Sequence, residues 1–391
     1  MLRLLCKLSW VRWRKGFVNK YGLIAKLVWD GGDSLRIPEE MGTPAPNQMQ
    51  GTVYEQLCEI GGRICYDSLG KGRSSLDFHK HILDVGHLSV DEHPHVTIQI
   101  HTGFQLHVFL NRPDFWVTLE PGTTRVTMNP RGIYEWDLWS RIISPEAPDL
   151  VGIPGSVGDQ LSYHAEKLFP QIVAPRERKP EVVRQYEAWT KVVPPRTDEE
   201  KWVTMFVGGS RGFSHELVRH GNFTGISQRS TRFVSEDESP WVDHPLIQEF
   251  WASTDPVPDD PAAKGATKAL AEETKRVARE TYSRVSAALQ KWLLARGVEK
   301  LTARKQARGA ARGYLGNALW TELIFSASVG QWKRMMRMRC CDPADAEIRS
   351  VFVDALRELK ASRYGKDFEN FELVPASDKV GQAAVERKGT A

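Results

Sequence analysis

Arginines and small hydroxyls concentrate in one stretch, Ser210 to Phe233, which carries four arginines, two histidines and a single acid, Glu216. Arg211, Arg219, Arg229 and Arg232 supply planar guanidinium forks, whose paired N–H groups match phosphate or carboxylate oxygens. Ser227, Ser230 and Thr231 add small donors, and Gly221 and Gly225 let the backbone approach a ligand closely. That combination suits the holding of a nucleotide phosphate. A basic turn on a solvated surface has a similar composition, and support is what separates the two readings. The stretch follows an apolar run, Trp202 to Val207, with strand character, and a helical segment containing Leu217 and Val218 delivers Arg219 and His220. Side chains held between regular elements can be positioned.

A second concentration of arginine runs from Arg304 to Arg349. Arg304, Arg308 and Arg312 recur every fourth residue and share one helix face. Arg334, Arg337 and Arg339 precede the adjacent cysteines Cys340 and Cys341. A solvated basic face accounts for Arg304, Arg308 and Arg337; Arg312 and Arg339 call for a more specific role. His87, Glu92, His93 and His95 form a third group. Their spacing is not the helical His-Glu-x-x-His arrangement of zinc enzymes, and no third ligand is evident, so no metal is expected. Hydrogen bonds that fix a turn beside a cofactor, or a plain helix-to-strand turn, are the readings that remain.

With 391 residues, 41% of them hydrophobic, the chain can bury a core without disulfide staples, as one large domain or two ordinary ones. A net charge of +4 is too mild to argue for nucleic-acid binding, and clustered arginines suit a small anionic ligand better than a long polymer. The five cysteines include no Cys-x-x-Cys, which argues against a zinc knuckle or redox pair; the odd count fits a reducing compartment, and a cytoplasmic location is expected. No apolar run is long enough to span a membrane. Trp10, Arg12, Trp13 and Arg14 allow a basic surface helix or a transit-like leader, but the secretory apolar core is missing and an ordinary extension is expected.

The elements that must position these groups read as α+β: a sheet with packed helices and a long helical C-terminal part. Strands are expected at Ala25 to Trp29, Val96 to Ile100, Trp116 to Thr118, Arg125 to Met128 and Trp202 to Val207. Apolar spacing predicts helices at Thr52 to Tyr66, Asp77 to Val85, Gly132 to Ile143, Gln160 to Val173, Pro261 to Arg296, Thr302 to Ala327 and Gly330 to Met338. A last helix is expected to begin near Pro343, with Asp342 as its cap, and to run through Leu359. Residues 1–45 read as an extension, 46–375 as a single domain with an insertion at about 101–201, and 376–391 as a polar, frayed tail.

Four blocks, in order, resemble the flavin-dependent thymidylate synthases: Gly62 to Ser68; Gly86-His87-Leu88-Ser89-Val90-Asp91-Glu92-His93; Ser210 to Phe233; and Ala311-Arg312 through Arg339 to Arg349. The resemblance covers roughly two thirds of the chain. It implies that family's fold and its conversion of dUMP to dTMP, with FAD as cofactor and methylenetetrahydrofolate and NADPH as co-substrates. It also implies a homotetramer with sites where subunits meet. Arg339 and Arg219 are implied as catalytic. Glu216, Arg219, Gln228, Arg229, Ser230, Thr231, Arg232, Arg312 and Arg339 are implied to hold dUMP. His87, Ser89, Arg219, His220, Gly221, Gln228, Ser328 and Arg334 are implied to contact FAD. No cysteine nucleophile is implied.

The chain departs from the family pattern at specific places. Gly221 stands where the motif has its second arginine, Glu216 where glutamine is frequent, Gln228 where many members carry glutamate, and Phe233 at the closing tyrosine. Ser328 and Gly330 replace an asparagine and an arginine. These departures keep two alternatives open: flavin-dependent modification of another pyrimidine nucleotide, such as hydroxymethylation, or a flavin-free nucleotide- or nucleic-acid-binding relative.

Overall fold

The computed structural model describes residues 19–100, 115–132, 157–221 and 224–387. The chain opens with β1 (Ile24–Trp29), α1 (Val53–Tyr66), α2 (Ser75–Asp84), β2 (Val96–Ile100), β3 (Phe115–Glu120) and β4 (Thr123–Met128). Next come α3 (Val157–Leu168), α4 (Pro180–Trp189), β5 (Thr190–Val193), β6 (Trp202–Ser210), α5 (Arg211–Leu217) and β7 (Thr224–Gln228). Then follow α6 (Pro245–Ala252), α7 (Ala263–Ala295), α8 (Lys300–Ala311), β8 (Trp320–Ser328), α9 (Val329–Arg339), α10 (Ala346–Ala361), β9 (Phe371–Pro375) and β10 (Gln382–Glu386). Three short 3-10 turns, Leu88–Glu92, Val218–His220 and Arg312–Tyr314, start, end or lie beside residues of the site. Mixed helices and antiparallel sheets agree with the α+β expectation. Among the described residues no helix is long and apolar enough to cross a membrane.

The principal sheet is antiparallel, in the order β1-β6-β8-β7. Every residue of β6 and β8 is buried, so both faces of the sheet are covered. Successive side chains alternate between those faces. On one face, Phe325 packs against Trp332 of α9 with ring centroids 5.4 Å apart, and Trp332 lies 6.0 Å from Phe352 of α10. On the other, Ser326 Oγ hydrogen-bonds with His93 Nδ1 at 2.8 Å, and His93 Nε2 with Ser227 Oγ at 2.8 Å. Burial pushes the His93 imidazole down to about 3, so it is neutral. His93 thereby bolts the Leu88–Glu92 turn to two neighbouring strands, which is how the third histidine group is used.

A second antiparallel sheet has the order β3-β4-β2-β5. Val96, Ile98, Ile100, Val126 and Met128 form its core with Leu161, Ala165 and Phe169. The described part of the expected insertion thus builds a sheet around β2. Buried Arg125 grips Glu200 with two hydrogen bonds of 2.8 Å, tying that sheet to the segment entering β6.

Several expectations are corrected. Thr302 to Ala327 is not one helix: α8 ends at Ala311 and Trp320–Ser328 is the central strand β8. A strand buried on both faces lacks alternation, and a short apolar run of that kind is indistinguishable by period from a buried helix. Thr224–Gln228, within the arginine-rich stretch, is strand β7 rather than loop. Helix α10 is capped by Asp345, whose Oδ1 accepts from Glu347 N at 2.9 Å; Asp342 instead accepts from Ser377 N at 2.7 Å. The expected frayed tail contains β10, which pairs with β9. Helices α4 and α6 and strand β5 were not anticipated. The expected helix Gly132 to Ile143, Gly132 apart, lies outside the described residues, as do residues 1–18 of the extension.

Candidate active site

Two serines aim the site. Ser210 ends β6 and caps α5, its Oγ accepting from Phe213 N at 3.1 Å. Ser328 ends β8 and caps α9, accepting from Gln331 N at 3.1 Å. In the ladder Ser210 lies opposite Trp320 and Ser328 opposite Trp202, so the two helices leave from opposite ends of paired strands. Ser210 is held in turn by Glu347, which accepts from its N at 2.8 Å and its Oγ at 2.7 Å.

The last residue of α9, Arg339, meets the end of α5. Its Nε donates to His220 Nε2 at 2.9 Å and its Nη1 to Glu216 Oε2 at 2.9 Å. Because Nε2 accepts, the imidazole is neutral with its proton on Nδ1; burial, and then the Arg339 cation, lower its pKa. Gln331 Nε2 donates to the His220 carbonyl at 3.4 Å. Arg219, between Glu216 and His220, is exposed, and no hydrogen bond or ion pair holds it among the described residues. Gly221 is exposed beside it. Gln228 Nε2 donates to Ser214 Oγ at 2.8 Å and Thr321 Oγ1 at 3.1 Å, joining β7 to α5 and β8.

A second group gathers around Glu236. Arg229 Nη1 pairs with Glu236 at 3.5 Å and donates to Ser239 Oγ at 3.0 Å. Arg211 Nη1 reaches Arg229 O and Thr321 Oγ1, each at 3.5 Å. Arg312 Nη1 lies 3.4 Å from Thr231 Oγ1. Burial lowers the pKa of Arg211; Glu236 opposes this, and the neighbouring Arg312 and Arg229 reinforce it. Two guanidiniums, Arg229 and Arg211, therefore act on one buried carboxylate, which burial itself pushes up, and Arg312 adds a third positive charge beside Arg211. The surplus positive charge is what a phosphate would neutralise. Ser230 donates its N to Cys65 O at 2.9 Å and its Oγ accepts from Arg232 N at 3.3 Å, while the Arg232 side chain is exposed.

A third group surrounds His87. The Tyr66 hydroxyl contacts its Nδ1 and the rings stack, with centroids 6.0 Å apart. Phe233 meets Tyr66 edge-on at 4.9 Å, and Lys305 Nζ stands 4.7 Å over Phe233. Arg308 donates to Phe233 O at 2.5 Å. Burial, then Lys305, His81 and Arg232, lower the His87 pKa; burial raises Tyr66 to about 12. A neutral imidazole beside aromatic faces and two cations, Lys305 and Arg232, fits a ring-bearing anionic group such as a flavin dinucleotide.

The structure thus brings Glu216, His220 and Arg339 into direct contact, sets Arg229 and Arg211 beside Glu236, and places Arg312 near Arg211 and against Thr231. It does not bring in Ser89 or Arg334, which are exposed, and the Ser328 hydroxyl is committed to its cap. Reading the sequence left Tyr66, Glu236, Lys305 and Thr321 without a role. Tyr66 had a signal, since it lies in the first block; Glu236 was one acid in an acidic stretch, and only the turn after β7 selects it.

A family model described as thymidylate synthase complementing protein matches residues 196–362. The flavin-dependent thymidylate synthase of Mycolicibacterium gilvum (strain PYR-GCK) is 32% identical over 181 residues, covering 46% of this chain and 66% of that protein. That of Corynebacterium diphtheriae is 35% identical over 181 residues, 46% of this chain and 65% of its own. That of Mycobacteroides abscessus is 30% identical over 211 residues, 49% of this chain and 78% of its own. The chain spans 66% of the length of the Mycolicibacterium relative, just under two thirds. The matched region runs from the segment before β6 into the end of α10 and contains Arg219, His220, Arg312 and Arg339. The chain belongs to the flavin-dependent thymidylate synthase family.

Proposed function

We propose that the protein methylates dUMP to dTMP in the cytoplasm, as a homotetramer with FAD bound, using methylenetetrahydrofolate and NADPH. The observation that carries this reading is the pairing of two positively charged devices on one sheet: Arg211, Arg229 and Arg312 gathered with a single buried acid, Glu236, beside the first two, and Arg339 presented at the end of α9. The first suits the nucleotide phosphate. Arg312 and Thr231 would hold its oxygens, with Ser230 and Arg232 at its edge. The second suits the pyrimidine. An arginine at a uracil carbonyl stabilises the negative charge that develops as C5 becomes nucleophilic.

dTMP differs from dUMP by a methyl group in place of the C5 hydrogen. A methylene carbon at the aldehyde oxidation level needs two further electrons to become methyl, and NADPH is the class of donor that provides them. When bound, the flavin supplies the relay of those electrons. His87, with Tyr66 and Phe233 beside it, and His220 would contact the flavin; Arg219, exposed next to His220, would lie between flavin and dUMP. Neutral His220 accepts from Arg339 and so leaves the guanidinium its full charge.

The test is an absorption spectrum of the purified protein with FAD and dUMP, followed by NADPH oxidation with methylenetetrahydrofolate. Flavin bands perturbed by dUMP, and dTMP as the product, are expected. A protein that takes up no flavin on reconstitution, or that oxidises NADPH without forming dTMP, would overturn the reading.

A further inference from the structure

We infer that Glu216 is a positioning residue, which holds the Arg339 guanidinium in place rather than contacting the ligand itself. The inference rests on the reading of Arg339 as the group that faces the pyrimidine.

Arg339 is anchored at two nitrogens only. Nε is taken by His220 Nε2 and Nη1 by Glu216 Oε2, each at 2.9 Å. Among the described residues nothing takes the Nη2 hydrogens. The two anchors sit one helical turn apart, Glu216 in α5 and His220 in the 3-10 turn that follows it, and they hold the guanidinium at Nε and at Nη1, which lie on different edges of the fork, leaving Nη2 between them. This support is itself rigid: α5 is capped by Ser210, and the His220 carbonyl accepts from Gln331 in the first turn of α9. The Arg339 side chain is 24% exposed, so a single anchor would leave its guanidinium free to swing into water. A carboxylate bonded to Nη1 also cannot donate a hydrogen bond to a uracil carbonyl. Both considerations make Glu216 the anchor and the open Nη2 of Arg339 the donor left for a ligand.

The experiment has two arms on the full-length chain. In the first, histidine Cε1–H resonances are titrated by NMR in wild type, Glu216→Ala and Glu216→Gln, with His220→Gln assigning the signal. Deleting a nearby carboxylate by itself lowers a histidine pKa, whereas departure of the Arg339 cation raises it. An upward shift of His220 in Glu216→Ala, with Glu216→Gln close to wild type because its amide oxygen still accepts, is the expected result. A His220 titration unchanged or lowered in Glu216→Ala overturns the proposal.

The second arm is steady-state kinetics of the flavin-loaded protein. Glu216→Ala should lower kcat about tenfold or more, with KM for dUMP within about threefold and Glu216→Gln restoring most of the rate. A large rise in KM at unchanged kcat would make Glu216 a substrate contact and overturn the proposal. Wild-type protein without dUMP-dependent turnover would sink the proposed function instead, and the first arm would still decide the geometry.

Discussion

Arg339 Nε donates to His220 Nε2 across 2.9 Å, so the cation at the end of α9 bears directly on the protonation of the imidazole after α5. Protonated His220 could not accept that bond and would set two cations side by side; its lowered pKa follows from burial and from Arg339. Turnover should therefore fall on the acid side as His220 gains a proton, and the limb should disappear from the kcat profile of His220→Gln. An unchanged acid limb in that variant would assign the titration elsewhere.

Arg339→Ala should reduce turnover by about a hundredfold to a thousandfold, the scale of losing one preorganised donor to developing charge. The side chain is partly exposed and bridges no core, so the melting temperature should move little. Normal turnover would remove Arg339 from the chemistry.

Arg229 and Arg312 should behave differently although both belong to the same cluster. Arg229→Ala breaks the ion pair of Glu236, which is 1% exposed; loss of one partner of a buried pair costs about 3–5 kcal/mol, and the charge of Arg211 that remains beside the acid sets the loss at about 3 kcal/mol, the low end. Arg312→Ala leaves no buried acid unpaired; it should raise KM for dUMP about tenfold to a hundredfold. Urea denaturation alongside dUMP kinetics separates them, and equal stability of the two variants would contradict the assignment.

His93 makes a prediction about stability. Its folded pKa is about 3, against about 6.5 for an unperturbed imidazole. Below pH about 6.5 the unfolded chain binds a proton that the native state refuses. Its contribution is therefore intact above that pH and is lost at about 1.4 kcal/mol per pH unit as the pH falls toward 3. Asp91, raised to about 7 by burial, acts in the opposite sense as pH rises. The comparison is thus between the pH slopes of wild type and His93→Asn from pH 7.5 to about 5. The variant should be flatter; parallel slopes would rule His93 out.

Gly225 should tolerate no side chain. A Cβ there would lie 2.8 Å from Glu92 O and 2.9 Å from His93 Nδ1, and the first of these is backbone. Gly225→Ala should cost about 1–3 kcal/mol and loosen the Leu88–Glu92 turn that carries Ser89. A melting temperature equal to wild type would show that the turn is not seated on β7.

The elements with punctuation were legible. Helix α1 announced itself through the spacing of Leu57, Ile60 and Ile64, and its Thr52 to Glu55 capping box is present in the structure. Helix α7 ends where Gly297 was expected to stop it, with that glycine at φ +81°. Strand β8 was not legible, because Trp320 to Ser328 is buried throughout and has no period to read. In the site, residue type identified the arginines but could not sort them. Arg229 and Arg232 are three residues apart in one motif, yet one is held by Glu236 and the other is exposed. That distinction comes from the turn after β7, which local sequence does not encode.

The serine junctions have a consequence for motion. Ser210 is at once the last residue of β6 and the cap of α5, and Ser328 plays the same double part between β8 and α9. No linker separates strand from helix at either junction, so neither helix can unfasten without disturbing the ladder that joins β6 to β8. Amide exchange in the first turns of α5 and α9 should track the slowest strands rather than the surface helices. Arg339 and its two anchors then share the lifetime of the sheet, and ligands meet an arginine whose direction is settled before they arrive.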